Sequence, residues 1–210
     1  MDTGPDELGG GGLFGDRLFN ALDKREPMAG SLLIAAPDMP DPNFTRAIVY
    51  LIEHDHTGSL GVVITRHSET EVASILPAWA DVCASPAVFH IGGPVKPDTG
   101  IALAVLSAGT DGLYDVGLQQ IEGRVHVVDL DSDPAQLRDR CDGMRVFVGY
   151  TGWAPGQLQG ELDRGDWYVA PSLPADLLAP AHVDVWGEVL RRQDMPLPLY
   201  ATYTGDGELN

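Results

Sequence analysis

The chain has 210 residues, of which 44% are hydrophobic and 21% are charged, a composition typical of a globular protein. Its 31 acidic and 13 basic side chains give a net charge of −18, which disfavours direct binding of nucleic acid because phosphate contacts depend on lysine and arginine. No apolar run reaches the roughly 18 residues of a membrane helix, and the acidic, glycine-rich start does not resemble a signal peptide. We therefore expect a cytoplasmic protein without a membrane partner.

The chain is expected to form one domain. Residues 1–12 and 204–210 have the composition of flexible tails, which leaves 13–203 as a single globular domain. Within it, Phe14, Leu18 and Leu22 recur every four positions, which predicts a short amphipathic helix.

The first half of the domain is predicted to be rich in strands. A strand at 31–37 ends in a proline-rich loop at 37–42, since proline interrupts regular structure. Two β-branched runs, 47–54 and 59–65, flank a polar turn and predict a β-hairpin. A helical stripe of apolar residues then extends from Val72 to Trp79.

The second half alternates predicted strands with helices. The strands are expected at 88–91, 101–106, 117–121, 125–130, 145–149 and 167–169. Helices are expected from Asp133 to Cys141, around Leu158 and Leu162, and around Val183, Trp186 and Leu190. Early hairpins followed by alternating elements predict a mixed sheet covered by helices.

Three stretches, in this order, carry a resemblance to a known family. They are residues 30–66, beginning GSLLIAAPDMPDPNFTR, residues 89–95 with the sequence FHIGGPV, and residues 145–162 with the core GYTGWAPGQL. Together they resemble the AlgH/YqgE family over roughly residues 30–190. The resemblance implies an α/β fold with a mixed, barrel-like β-sheet flanked by helices, with an α+β arrangement as the near alternative. It implies no catalytic residue, and although some members are called transcriptional regulators, this sequence has no DNA-binding motif.

The first candidate binding residues follow the proline-rich loop. Asn43 and Arg46, with Phe44 between them, would present an amide and a cation to an anionic ligand. The alternative is a turn in which Asn43 bonds to its own backbone and Arg46 pairs with an acid.

Glu53 and His54 belong to the only sequence cluster with metal-ligand chemistry, which continues into Asp55 and His56. Two histidines two residues apart in a strand point the same way. This segment, however, is predicted to turn a hairpin, and it has no adjacent third ligand. We therefore predict a polar hairpin tip and no metal site, and keep Glu53 and His54 as candidate binding residues.

Two glycine-containing turns complete the candidate set. Gly92 and Gly93 follow a strand and would offer backbone N–H groups to an anion, although a tight strand-exit turn is the favoured interpretation. Gly152, Trp153 and Gln157 join a strand to a helix start, where Trp153 forms a ligand-facing wall or fills the core.

The turn at 152–157 and the loop at 43–46 are predicted to meet in one cleft. Asn43, Arg46 and Gln157 would then donate hydrogen bonds to a ligand beside Trp153. Convergence of a strand-end loop and a helix start on one hollow is a frequent arrangement of ligand sites.

The leading functional hypothesis is a non-catalytic regulatory module that binds a small molecule or a protein. The sequence has no nucleophile, Walker or zinc-protease motif and implies no cofactor, and Cys83 and Cys141 are expected to be free thiols. The alternative is an enzyme of unassigned class that uses the region of Arg46, Glu53, His54 and Gln157. The last alternative is a transcriptional regulator acting without direct DNA binding.

Overall fold

The computed structural model describes residues 25–110 and 117–202. Within these ranges the chain forms ten strands and four helices. The strands are β1 (Ser31–Ala35), β2 (Ile48–Asp55), β3 (Gly58–Val63), β4 (His67–Glu71), β5 (Val88–Ile91), β6 (Val95–Leu106), β7 (Leu118–Glu122), β8 (Val125–Val128), β9 (Cys141–Trp153) and β10 (Trp167–Pro171). The helices are α1 (Gln157–Arg164), α2 (Pro174–Leu177), α3 (Val185–Arg191) and α4 (Leu197–Tyr200). The two expected tails and the expected helix around Leu18 lie outside the described residues.

The strands form one continuous curled sheet in the order β10-β1-β2-β3-β9-β6-β8-β7, to which β5 and β4 are added. Strand β9 connects the two halves of this sheet. Its start pairs with β6 and, in parallel, with β5, whereas its end pairs with β3. All other strand pairs are antiparallel.

The concave side of the sheet encloses the main core. Alternate residues of β1 point into it, as Leu32 and Ile34 show, and they meet Leu103 of β6 and Phe147 of β9. Trp186 of α3 is 1% exposed and packs into the same core. The C-terminal helices therefore fill the interior of the curl, because apolar side chains from both halves of the sheet converge there.

The convex side carries two further apolar clusters. Leu33 and Ala35, the other face of β1, pack with Trp153, Leu158 and Trp167 beneath α1. On the other half of the sheet, Ala102 and Ala104 of β6 pack under Trp79 and Leu137. Both faces are buried, which explains the uninterrupted apolar runs of the strands.

Two predicted helices are wrong. Residues between Val72 and Trp79 form two short 3₁₀ turns, Val72–Ser74 and Pro77–Trp79, because Pro77 cannot continue a helix begun before it. The helix expected from Asp133 is a single 3₁₀ turn, Pro134–Gln136, in which Asp133 does cap the backbone N–H of Ala135. Cys141 instead begins the long strand β9.

The expectation of a mixed, barrel-like sheet flanked by helices is confirmed, in the α+β form that was the near alternative. The hairpin of β2 and β3 lies where the sequence indicates it. In the described ranges, no helix has the length and apolar character needed to cross a membrane.

Candidate functional site

The end of β9 and the tip of the β2–β3 hairpin lie side by side. Ser59 pairs with Trp153 across β3 and β9. At the tip, Gly58 approaches the carbonyl oxygen of Trp153 so closely that a Cβ at this position would clash with it. We call residues 152–157 the Trp153 turn and residues 55–58 the hairpin tip. The fold thus places two of the predicted candidate segments next to each other.

Glu161 of α1 organises the Trp153 turn. Its Oε2 accepts hydrogen bonds from the indole Nε1 of Trp153 at 2.7 Å and from that of Trp167 at 3.0 Å. Both indoles are almost completely buried, and a buried indole N–H requires an acceptor. One carboxylate therefore ties α1 to the end of β9 and the start of β10.

Gln157 completes this network from the first position of α1. Its Oε1 accepts from the backbone N–H of Ala154 at 3.1 Å, and its Nε2 donates to Oε1 of Glu161 at 3.0 Å. The amide is thus engaged at both ends. The exposed turn at Ala154, Pro155 and Gly156 is therefore bonded to α1 through Gln157.

Phe44 extends the aromatic part of this region. Its ring centroid lies 5.3 Å from that of Trp167 in an edge-on arrangement, and Trp167 lies 6.1 Å from Trp153 in the same way. Asn43, beside Phe44, is exposed, and its backbone N–H donates to Oδ1 of Asp41 at 2.8 Å. The side chain that bonds to the backbone in this turn is therefore that of Asp41.

Arg46 points to the other side of the sheet. Its guanidinium lies 4.2 Å from the centre of the Trp186 ring and 2.9 Å from Oδ2 of Asp184. Its backbone has a φ of 51°, a conformation that costs free energy for a residue with a side chain. Trp186 belongs to the concave core and Trp153 to the convex cluster. The prediction of a cleft shared by Arg46 and Gln157 is therefore wrong, although Phe44 and Trp153 do meet through Trp167.

The residues of the predicted polar hairpin tip make local contacts. The Nδ1 of His54 lies 2.7 Å from the hydroxyl of Ser59, its partner across the hairpin, and Glu53 is exposed. Over the residues that the structure describes, no three histidine, cysteine or acidic side chains are grouped to hold a metal ion.

Gly92 and Gly93 lie where β5 leaves the sheet and crosses the bend of β9. The N–H of Gly92 donates to the carbonyl of Val148, and its own carbonyl accepts from Val63. A Cβ on Gly92 would clash with the carbonyl oxygen of Gly149. Gly92 is thus required for a close backbone approach between β5 and β9.

Arg145 is a buried cation that sequence reasoning missed. It is 1% exposed, and its guanidinium donates to five carbonyl oxygens, those of Ala84, Ser85, Pro86, Leu178 and Ala179. Burial lowers the pKa of this guanidinium below its usual value. All five bonds come from its two terminal NH2 groups, whereas its Nε–H is buried without a partner. Arg145 therefore holds two separate loops together.

Two further titratable groups feel the charge of Arg145: His90, which is buried, and Cys83, which is half-buried. Burial, followed by the charge of Arg145, lowers the pKa of His90 to about 4. Burial raises the pKa of Cys83 to about 11 and also raises that of Cys141. Both cysteines are free thiols, as expected. A neutral imidazole and two protonated thiols are poorly suited to nucleophilic chemistry at neutral pH.

The family-level comparisons agree with this architecture. The AlgH-like family model matches residues 32–198. A UPF0301 protein of Corynebacterium efficiens is 47% identical over 193 residues, which cover 92% of this chain and 96% of that protein. The chain belongs to the AlgH-like family. The sequence resemblance is thereby confirmed.

Two solved structures share the fold. The crystal structure of a Corynebacterium diphtheriae protein superimposes with a TM-score of 0.85 and 42% identity, covering 90% of this chain and all of that one. The solution structure of the AlgH protein from Pseudomonas aeruginosa gives a TM-score of 0.61 at 27% identity, with 87% and 98% of the two chains covered. The curled sheet is therefore shared with these two proteins.

Proposed function

We propose that this AlgH-like protein is a non-catalytic binding module whose recognition surface combines the Trp153 turn with the hairpin tip. The observation that carries the proposal is the pair of indole hydrogen bonds to Glu161, which fixes an exposed turn on a buried scaffold. A surface ordered before binding loses less conformational entropy when a ligand or partner arrives.

The polar groups of this surface support recognition over catalysis. Gln157 is committed to Glu161 and to the backbone of Ala154. Arg46, which the enzyme hypothesis required beside Gln157, packs on Trp186 at the concave core. Glu53 and Asp55 leave carboxylates exposed at the hairpin, and with a net charge of −18 they favour a neutral or cationic ligand, either a small molecule or a protein segment. Nucleic acid is disfavoured on the same electrostatic ground.

The proposal is tested by thermal shift against a defined panel of amino acids, polyamines, nucleotides, sugar phosphates and divalent metal salts. A compound that binds this surface should raise the melting temperature of the wild-type protein. The increase should be lost in Pro155→Arg, which places a cation in the Trp153 turn, and reduced in Asp55→Asn, which removes a carboxylate of the hairpin tip, since both side chains are exposed. Glu188→Ala, an exposed change on α3, serves as the matched control and should bind like wild type.

Mass spectrometry of the bound compound after prolonged incubation supplies the second readout. Recovery of the compound unchanged supports a binding module. Consumption of the compound, or binding that Pro155→Arg and Asp55→Asn leave intact, contradicts the proposal.

A second candidate function rests on the contact between His54 and Ser59. A hydroxyl 2.7 Å from an imidazole nitrogen has the distance of a nucleophile and its base. We propose acyl or phosphoryl hydrolysis at Ser59 as the competing hypothesis. Covalent labelling by a fluorophosphonate probe that disappears in both Ser59→Ala and His54→Ala would support it, and unlabelled wild-type protein would exclude it.

A further inference from the structure

The hydroxyl group of Tyr50 is buried without a hydrogen-bond partner. Tyr50 of β2 is 1% exposed and packs in the concave core. Within the part of the chain that the structure describes, its hydroxyl oxygen makes no hydrogen bond. Such groups are rare in proteins because a buried, unpaired hydroxyl costs free energy, whereas phenylalanine has the same ring without this cost. Tyr50 is therefore a candidate for a role beyond packing.

The hydroxyl lies where the two ends of the strand order approach each other. Gly30, directly before β1, has a φ of 87°, and its N–H donates to the carbonyl of Leu51. A Cβ on Gly30 would clash with Cβ of Glu122, at the end of β7, and would lie 3.7 Å from the hydroxyl oxygen of Tyr50. Glu122 and the Tyr50 hydroxyl therefore meet beside the Cα of Gly30.

Ser172 brings a third oxygen to this place. It directly follows Pro171, which pairs with Ser31 across β10 and β1, and its hydroxyl lies near that of Tyr50 but outside hydrogen-bonding geometry. Burial raises the pKa of Tyr50 above its ordinary value, Ser172 acts in the opposite direction, and the charge of Glu122 raises it further. The phenol is thus protonated at neutral pH, with a carboxylate and a second hydroxyl beside it.

The place is accessible from solvent through two of its three side chains. Glu122 is exposed and Ser172 is half-buried, and in the described ranges no ion pair holds the Glu122 carboxylate. The guanidinium of Arg192, near the end of β10, is already paired with Asp176. Rotation of the Glu122 side chain would therefore open the Tyr50 hydroxyl to a small ligand.

The chemistry of the three groups suits a primary ammonium. An ammonium carries three N–H donors and no acceptor, and the carboxylate, the serine hydroxyl and the phenol oxygen can each accept from one of them. The bond to the carboxylate is the strongest because both groups are charged. The net charge of −18 also raises the concentration of cations near the protein.

We propose that Glu122, Ser172 and Tyr50 form a subsite for the ammonium group of a small primary amine, at the place where β7 meets the start of β1. In the complex the Tyr50 hydroxyl gains the hydrogen bond that it lacks in the free protein. A lysine side chain of another protein carries the same ammonium group. The subsite does not depend on the proposed recognition surface at the Trp153 turn.

Isothermal titration calorimetry with putrescine tests the subsite. At about 150 mM salt the long-range attraction of amines to the acidic surface is largely screened, so saturable binding reports local contacts. Glu122→Gln should weaken this binding by at least about tenfold, and Tyr50→Phe should weaken it severalfold. Fully N-methylated putrescine, which has the same charge but no N–H donor, should bind the wild type only weakly. Tighter binding of Nα-acetyl-lysine amide than of putrescine would overturn the assignment to a small amine and indicate a protein lysine.

Glu188→Gln and Asp55→Asn are the matched controls, because each removes one exposed negative charge elsewhere on the surface. Both should bind putrescine like the wild type, and loss of binding in Asp55→Asn alone would move the amine to the hairpin tip. Tyr50→Phe should melt at or above the wild-type temperature, since the hydroxyl that it removes has no partner. No saturable binding by the wild type, equal weakening in all three acidic-residue variants, or normal binding by Tyr50→Phe would overturn the subsite.

Discussion

The indole nitrogen of Trp153 donates a 2.7 Å hydrogen bond to Oε2 of Glu161, eight residues further along the chain. The same oxygen accepts from Trp167, so one carboxylate satisfies two buried donors. The Trp153 turn therefore depends on a side chain of the helix that follows it. This dependence is open to direct measurement.

Replacing Glu161 by alanine should lower the free energy of unfolding by about 2 kcal/mol or more, because it leaves two buried indole N–H groups without an acceptor. Glu161→Gln retains an acceptor oxygen and should cost less. Urea titrations followed by tryptophan fluorescence measure both. Glu188→Ala, which removes an exposed ion pair with Arg191, should cost at most about 0.5 kcal/mol. Equal effects of Glu161→Ala and Glu188→Ala would contradict the role of Glu161.

Two glycine-to-alanine substitutions should have opposite effects. Gly92→Ala places a Cβ against the carbonyl oxygen of Gly149 and should destabilise the protein by about 2 kcal/mol or more. Gly160 lies inside α1, where a Cβ would meet its nearest neighbour, the Arg164 guanidinium, at 3.7 Å. Gly160→Ala should therefore stabilise the protein by up to about 1 kcal/mol. Thermal denaturation measures the stability of both variants. A Gly92→Ala variant as stable as the wild type would show that β5 and β9 can move apart where they cross.

The low pKa of His90 makes stability depend on pH. Since this pKa is about 4 in the folded protein against an ordinary value of 6.5, the unfolded chain takes up the proton first as the pH falls. Stability is then fully present above about pH 6.5 and is lost towards pH 4, at up to about 1.4 kcal/mol per pH unit. Arg145 and His67 act on His90 in the same direction. Urea titrations at several pH values give the free energy of unfolding as a function of pH. Between pH 6.5 and pH 4 its slope should be shallower in His90→Gln than in the wild type, and identical slopes would refute this assignment.

The raised pKa values of the cysteines predict slow modification. Because burial raises the pKa of Cys83 to about 11, little thiolate is present at pH 8. Iodoacetamide should label Cys83 and Cys141 slowly in the native protein and quickly in urea. Ala73→Cys, which places a thiol at an exposed position, provides the fast native reference. If Cys83 in the native protein were labelled as fast as the introduced thiol of that variant, the structure around Cys83 would have to open readily to solvent.

Local patterns made the strands predictable. The β2–β3 hairpin follows from β-branched runs on either side of a polar turn, and the first-turn cap by Asp133 is present although its helix is not. Such features depend on neighbours in sequence. The two wrong helices were predicted from apolar spacing alone. Pro77 interrupts the first of them, and the apolar residues of both pack on the convex side of the sheet, a contact that the sequence does not display.

The candidate site was predictable only in its parts. The Trp153 turn is marked by glycine, proline and tryptophan, and the spacing of four between Gln157 and Glu161 indicates a contact on one helix face. The direction of Arg46 is set by Asp184 and Trp186, which lie far along the chain. Arg145 has no sequence signal at all, because its partners are backbone carbonyls of distant loops.

Strand β9 also governs the order in which the protein is assembled during synthesis. Its first part pairs with β5 and with β6, and its end pairs with β3. Neither half of the sheet is therefore complete until β9 has been synthesised. Pairing of β5 and β6 with β9 requires synthesis up to Tyr150, and pairing of β3 requires synthesis up to Trp153. Strand β1 pairs with β10 later still. Pairings over such separations form slowly, since long loops must close first. Until then the nascent chain carries open strand edges that are prone to pair with other chains.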